Sequence, residues 1–418
     1  MLSNLSTGRL IAIGTLAACF TYAATGDASS SAKAFVGATI IDGTGKAPLR
    51  KATLLVRNGR VEAVGTSVKV PAGVEKIDVA GKTIIPGLIS GHSHVSSAAQ
   101  LNLYARYGVT TVMSLGGDNE IQIRDQVKQE QQTAALQHSR LFIAGPVVAS
   151  KTPEEARKVV DQVAAAKTDI VKFRLDDNLG ASPKMTPDVY AAIFDEAKKK
   201  EMRVAVHVVY LSDAKAVLRL GAYLIAHSVR DYNIDDETIG LLKKNGAYYC
   251  PTLLREVSTF VYADKPAFLN DPFLLKWGDQ RELARVNDAA FQEKMRNDRA
   301  AAWYKEHLPV AMRNLKKVSD AGVPVVMGTD TGPPGRFQGY FEHLELEYMV
   351  QSGLTPMQTL VAATGTAARY LHASDQLGTL EPGKWADLLV LDADPLENIQ
   401  NTRKLNSVWI AGNRLPAN

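Results

Sequence analysis

The sequence predicts an α/β protein: a (β/α)8 TIM barrel inserted into a small β-sandwich that is built from both chain ends. Three observations predict it. Residues 34–85 and 378–418 carry short strand patterns punctuated by turn signals, whereas the stretch between them alternates apolar strands with amphipathic helices. Eight strand candidates fit into that stretch, most of them separated by helical patterns. Four histidines, a lysine and an aspartate fall in or at the ends of these strands, where a barrel gathers its chemistry.

The elements follow in chain order. Arg9 is the only charge before an apolar and small-residue run from Leu10 to Phe20. That run is too short to span a bilayer, so residues 1–24 are expected to be an export signal, giving a periplasmic or extracellular location. Two processing routes compete. Leu16-Ala17-Ala18-Cys19 resembles a lipobox, which would attach the chain to a membrane through a lipidated Cys19. A small-residue site near Ala23-Ala24 would instead release a soluble protein. Residues 25–33 are rich in Ser and Ala and read as a flexible lead-in.

The first part of the sandwich, 34–85, begins with Phe35 to Ile41 and the turn Asp42-Gly43. Leu54 to Val56 and Val61 to Val64 flank Asn58-Gly59, a strong hairpin signal. The second part, 378–418, holds Ala386 to Leu391, Ser407 to Ala411 and the turn Gly412-Asn413. The barrel occupies 86–377. Its strands are expected at Ile84–Gly91, Val109–Leu115, Leu141–Val148, Ile170–Leu175, Arg203–Val208, Tyr223–Ala226, Ala247–Thr252 and Pro324–Thr329. A helix is expected over Pro187–Lys200, with Thr186 as its N-cap and Pro187 in the first turn. The long connection from Arg255 to Trp303 is rich in aromatics and charges and is expected to fold as extra helices over one end.

Composition narrows the function. The 418 residues are 46% hydrophobic and 22% charged, an ordinary globular balance. The net charge of +4, with no long basic run, gives no reason to expect a nucleic-acid partner. The two cysteines, Cys19 and Cys250, support neither a disulfide framework nor a metal finger. Cys250 has no evident base beside it and reads as buried filler. Homo-oligomerisation is left open.

The strand ends are more informative. His92 and His94 are two apart, so on a strand both imidazoles face the same side. Lys172 lies in the fourth candidate strand, His207 in the fifth, His227 at the end of the sixth and Asp330 at the end of the eighth. His138, His307, His343 and His372 fall in helical or loop patterns and read as packing or surface residues.

With Pro86-Gly87-Leu88-Ile89-Ser90-Gly91-His92-Ser93-His94, strand-end Lys172, His207 and His227, Gly328-Thr329-Asp330-Thr331 and the tail Gly378 to Leu388, the chain resembles the amidohydrolase superfamily of metal-dependent hydrolases over about residues 34–415. Ala226 to Asp231 and Pro251-Thr252-Leu253 place the resemblance in its imidazolonepropionase-like and Xaa-Pro dipeptidase-like branch. The resemblance implies two divalent metal ions, with zinc the default. His92, His94 and Asp330 would hold one and His207 and His227 the other, bridged by Lys172 carboxylated by CO2. Asp330 would be the catalytic proton carrier.

For the substrate, Arg230 is a candidate carboxylate clamp and Tyr232 a candidate oxyanion donor, against a competing Arg230 ion pair with Asp231 or Asp236. The loop Thr331 to Phe337 and the aromatics Tyr262, Phe268, Phe273 and Trp277 are further candidates for the pocket wall. The leading expectation is hydrolysis of an amide or peptide-like C–N bond in a small molecule, such as an Xaa-Pro-like dipeptide or an N-acyl amino acid. Alternatives are a lactonase or phosphotriesterase with the same two-metal site, a mononuclear deaminase, and an exported binding protein without catalysis.

Overall fold

The computed structural model describes residues 32–416. The expected export signal, Cys19 and all but the last two residues of the lead-in lie outside the described residues. The chain is an α/β protein. Five strands come first: β1 (Ala32–Ile40), β2 (Leu49–Arg57), β3 (Arg60–Gly65), β4 (Glu75–Asp78) and β5 (Thr83–Pro86). The β2–β3 turn is the Asn58-Gly59 hairpin, with left-handed φ at both residues as a tight primed turn requires. Strands β6 (Leu88–Ser93), β7 (Val109–Ser114) and β8 (Arg140–Ile143) form a three-stranded parallel sheet. Strands β9 (Val171–Arg174), β10 (Val204–His207), β11 (Leu224–Ala226) and β12 (Tyr248–Cys250) form a four-stranded parallel sheet. The chain ends with β13 (Leu388–Leu391), β14 (Leu405–Ile410) and β15 (Asn413–Arg414).

Both chain ends meet in one mixed sheet of eight strands, because β13 pairs antiparallel with β5. Side-chain alternation explains the continuous apolar run of β13. Leu388 and Val390 pack into a core of β1, β2 and β3 residues, while Leu389 and Leu391 face the main core. Both faces are buried, so every position is apolar.

Two expected strands take a different form. The single run Ile84–Gly91 is split into β5 and β6 at Gly87. Any Cβ there would overlap Thr110 at 2.1 Å, and the Gly87 N–H is held 2.8 Å from the Asp387 carbonyl. The run therefore leaves the mixed sheet before it enters the parallel one. The eighth run, 324–329, is not a laddered strand. It and the segment just after it are joined to their neighbours through the single parallel bridges Tyr249–Val325 and Ser93–Thr331, with Val326 N donating to Tyr249 O at 2.9 Å and Gly91 N to Met327 O at 2.8 Å. A third bridge, Val148–Phe173, links the two parallel sheets.

The helix Pro187–Lys199 is where its pattern places it, with Thr186 at the N-cap position but without a side-chain cap bond. The long connection folds as short helices, Leu253–Val257, Pro272–Trp277, Gln280–Val286 and Ala289–Arg296, before the long helix Arg299–Asp320. Asp271, Asp279, Asp288 and Asp298 precede the last four of these five helices, and each accepts backbone N–H groups as an N-cap. Tyr262, Phe268, Phe273 and Trp277 pack into a separate core with Tyr107, Tyr340 and Phe341. Among the described residues, no helix is long and apolar enough to cross a membrane.

One buried ion pair ties the last strands to the middle of the chain. Arg140, at the start of β8, reaches Asp387 through Nε at 3.0 Å and Nη2 at 3.3 Å, and Asp387 also accepts the Ala411 N–H at 2.7 Å. Removing one partner leaves the other charge buried and uncompensated. Asp387→Ala is expected to lower stability by about 3–5 kcal/mol. A urea-unfolding midpoint unchanged from wild type would refute that.

Candidate active site

The C-terminal ends of the parallel strands converge on a cavity of about 330 Å³ lined by His92, His94, Leu115, Val147, Lys172, Arg174, His207, His227, Arg255, Asp330, Pro333 and Arg336. All six expected metal-site residues are therefore brought to one cavity. Ring centroids are 5.7 Å apart for His92 and His94, 4.7 Å for His92 and His227, and 4.1 Å for His207 and His227.

Local backbone geometry aims these groups. His227, Thr252 and Asp330 all have left-handed φ, at 72°, 48° and 58°. Such backbone is unfavourable for residues with a Cβ, most of all for a β-branched threonine, and costs roughly 1–3 kcal/mol per residue. It turns the chain at the strand ends, so that His227 and Asp330 point into the cavity. Thr252 Oγ1 lies 2.6 Å from His227 Nδ1. Gly328 is required by close approach: a Cβ there would meet Cys250 Sγ at 2.6 Å and His92 Cβ at 2.8 Å.

The donor set fits cations. His94 Nδ1 lies 2.7 Å from the Gly116 carbonyl, which can only accept, so the proton sits on Nδ1. The ring's Nε2 then faces Asp330 Oδ1 at 2.8 Å, and His92 Nε2 lies 3.1 Å from the same oxygen. Ring nitrogens and a carboxylate at this spacing need a cation or a proton between them. Both His92 ring nitrogens and Lys172 Nζ are buried without a hydrogen-bond partner. Ligand atoms of His92, His227 and Asp330 all lie within 4.8 Å of one another.

Burial sets the protonation states. It pulls His92 down to about 3 and holds His207 and His227 well below the ordinary histidine range. The three imidazoles are thus neutral at neutral pH, the form in which a ring nitrogen can bind a cation. Burial also pulls Lys172 down to about 8, so its amine gives up its proton more easily than an ordinary lysine's. For Asp330, burial alone would raise the carboxyl. The Arg336 guanidinium, with the His92 and His94 rings beside it, overcomes this and holds it well below the usual carboxylate range.

Of the neighbours, Arg336 lies in the loop Thr331 to Phe337, and the others have no sequence signal that marks them. Arg336 grips Asp330 Oδ2 and donates to Ser258 Oγ at 3.1 Å. Arg255 is buried against Glu256 at 2.9 Å, and its Nε has no partner. Glu342 Oε1 accepts from Thr329 Oγ1 at 2.7 Å, Thr331 Oγ1 at 2.8 Å and Ser90 Oγ at 3.1 Å, tying the His92 strand to the Asp330 segment. Glu120 accepts from Gly116 N at 2.9 Å and Gly145 N at 2.8 Å, which fixes the carbonyl under His94. Asp176 Oδ2 lies 3.0 Å from His207 Nε2, leaving Nδ1 as the ring's free donor atom. Such outer partners orient ligating rings. Asp176→Asn is expected to weaken divalent-metal affinity about 10- to 100-fold. Equal affinity in a competitive zinc titration would refute it.

Arg230 and Tyr232 do not line the cavity. Arg230 is buried, donating to the carbonyls of Ser228 at 2.6 Å and Val208 at 3.1 Å and pairing with Glu256 at 3.2 Å. Asp231 instead accepts from Leu211 N, and Asp236 pairs with Lys317. Tyr232 is 70% exposed. Of the loop Thr331 to Phe337, Pro333 and Arg336 reach the cavity, while Tyr262, Phe268, Phe273 and Trp277 do not.

The chain is similar to several known hydrolases. The ochratoxinase of Aspergillus niger is 26% identical over 283 residues, covering 64% of this chain. The chain spans about half (51%) of the length of that relative. The imidazolonepropionase of Streptomyces coelicolor is 24% identical over 372 residues, 82% of this chain and 86% of that protein. Among solved structures, a Xaa-Pro dipeptidase with methionine bound in its active site superposes with a TM-score of 0.73 at 20% identity, covering 93% of this chain and 100% of that one. Molinate hydrolase gives 0.71 at 21% identity, covering 92% and 95%. These two structural likenesses concern the fold. The amidohydrolase family model matches residues 83–415, which takes in every residue lining the cavity. The chain belongs to the amidohydrolase family.

Proposed function

We propose that this protein is a binuclear metal-dependent hydrolase that cleaves the amide or peptide-like C–N bond of a small molecule carrying a carboxylate. The observation that carries the reading is the cavity where four histidines, Asp330 and the unpartnered Lys172 meet. His92, His94 and Asp330 would hold one divalent ion and His207 and His227 a second, zinc being the default for imidazole and carboxylate donors. Lys172 would bridge them once its amine has added CO2, which turns a cation into an anionic oxygen donor. When bound, such ions lower the pKa of water and polarise a carbonyl oxygen.

The protein's own groups do the rest. Asp330 Oδ1, held between His92 and His94, accepts the proton of the attacking water and returns it to the leaving nitrogen. Arg336 fixes Oδ2 and so keeps Oδ1 in place. Arg255, with its free Nε, and Arg174 form a cationic wall for the substrate carboxylate, the role considered above for Arg230. The names of two relatives, an Xaa-Pro dipeptidase and an ochratoxinase, support an Xaa-Pro-like dipeptide or an N-acyl amino acid as the substrate class.

The domain reading belongs to the same proposal. The two parallel sheets, the 324–329 run and the three single bridges support the reading of an eight-stranded barrel over 86–377. The mixed sheet and its own core support that of the sandwich. Export, with or without a lipid on Cys19, also belongs to it.

The test is a hydrolysis screen of the zinc-loaded protein over N-acyl amino acids, Xaa-Pro dipeptides, lactones and phosphotriesters. Turnover of the carboxylate-bearing amides is expected. Turnover of lactones or phosphotriesters with none of the amides would overturn the reading.

A further inference from the structure

We propose that a second cavity, walled by Leu179, Ala181, Tyr210 and Trp303, is a subsite for an aromatic acyl group of the substrate. This rests on the amide-hydrolase reading above and deepens it by naming the substrate class. The cavity measures about 470 Å³, within the range of small-molecule pockets.

Its position is the first argument. The segment after β9 gives Arg174 to the catalytic cavity and Asn178 to Ala181 to this one. The segment after β10 likewise gives His207 to one and Tyr210 to the other. Two adjacent aspartates on the first of these segments bond side chains of the second: Asp176 lies 3.0 Å from His207 Nε2, and Asp177 accepts from Tyr210 Oη at 2.7 Å. On the opposite wall, Trp303 packs edge-on against Tyr304 at 5.3 Å, and the Tyr304 ring lies 4.7 Å from the Arg255 guanidinium carbon. A substrate whose carboxylate meets Arg255 and Arg174 would extend its acyl group past these segments into the second cavity.

The lining is the second argument. Trp303 is braced by stacking on His307, with centroids 3.9 Å apart and planes 15° apart. Tyr210 is braced by Lys184, 4.1 Å from its ring. Two fixed aromatic side chains and a leucine suit a flat apolar group. The carboxylate of Asp298, also in the wall, is occupied in capping the helix Arg299–Asp320, through Ala300 N at 2.7 Å and Ala301 N at 3.2 Å.

Strain is the third. Asn178, Leu179 and Gly180 have successive left-handed φ of 51°, 58° and 83°. A leucine there is disfavoured. The loop is nonetheless held, by Asn178 N on Asp176 Oδ1 at 2.8 Å and Ser182 N on Asp177 O at 2.8 Å. Strain maintained in this way keeps Leu179 in the cavity wall.

The test compares two inert ligands on the zinc-loaded full chain by calorimetry: N-(benzenesulfonyl)glycine and N-(methanesulfonyl)glycine. They share a carboxylate and differ only in the aromatic group. The wild type is expected to bind the aryl compound about tenfold tighter. That ratio should fall towards one in Trp303→Ala and in Leu179→Gly, the latter a substitution that the left-handed backbone accepts. Equal binding by the wild type, binding of neither ligand, or a preference that survives in both variants overturns the subsite. Turnover of N-benzoylglycine and N-acetylglycine is read separately. An aryl preference without turnover of any amide would refute the hydrolase reading and leave the aromatic pocket standing. Turnover without an aryl preference would do the reverse.

Discussion

Replacing Asp330 by Asn is expected to lower kcat/KM for amide hydrolysis by about 10³-fold. Asn keeps the shape and one oxygen, but it can neither take up a proton at neutral pH nor bind a cation as an anion. Oδ1 is shared by His92, at 3.1 Å, and His94, at 2.8 Å, so its charge matters to both. The substitution also leaves Arg336 without its counter-charge in a nearly buried place, where its guanidinium has Ser258 as its other side-chain partner. Some loss of stability is therefore expected as well. Kinetics and thermal unfolding of the same preparation separate the two effects. Turnover within a few fold of wild type in a folded Asp330→Asn variant would remove Asp330 from the proton path.

The histidines, Lys172 and Asp330 were legible because each sits at a strand end. A strand has a period of two, so His92 and His94 must share a face, and parallel strands with helical returns bring their C-terminal ends together. Nothing in that logic reaches residues that act from helices and loops. Glu342 lies on the helix Tyr340–Gln351, and its acidic neighbours Glu345 and Glu347 look no different in the sequence. Its role appears only when Ser90, Thr329 and Thr331 are seen to donate to it. Arg255 and Arg230 are both arginines beside apolar strand ends. Their difference is spatial: the backbone carbonyls of Val208 and Ser228 and the carboxylate of Glu256 hold Arg230 inside, while Arg255 faces the cavity. The break at Gly87 was hidden for a similar reason. Apolar residues continue through it, and only the contact with Thr110 shows that the chain changes sheets.

Lys172→Ala is expected to abolish turnover, by 10³-fold or about that, without costing stability. The two halves of this expectation come from one fact. Lys172 is 2% exposed and its Nζ has no partner. A buried amine without a hydrogen bond opposes folding, so its removal offsets the packing lost with the aliphatic stem. A residue kept under that penalty is kept for what it does. If its role is to become an anionic bridge, the Ala variant should lose bound metal. Acetate or propionate, small enough for the space vacated by the side chain, should restore part of both metal content and activity. Lys172→Arg separates this from simple positive charge: a guanidinium keeps the charge but does not take up CO2. It should be inactive and, with the space filled, not rescued by carboxylates. Metal content measured with and without added propionate distinguishes the outcomes. Full metal content and wild-type turnover in Lys172→Ala would rule out the bridge, whatever the fate of the histidines around it.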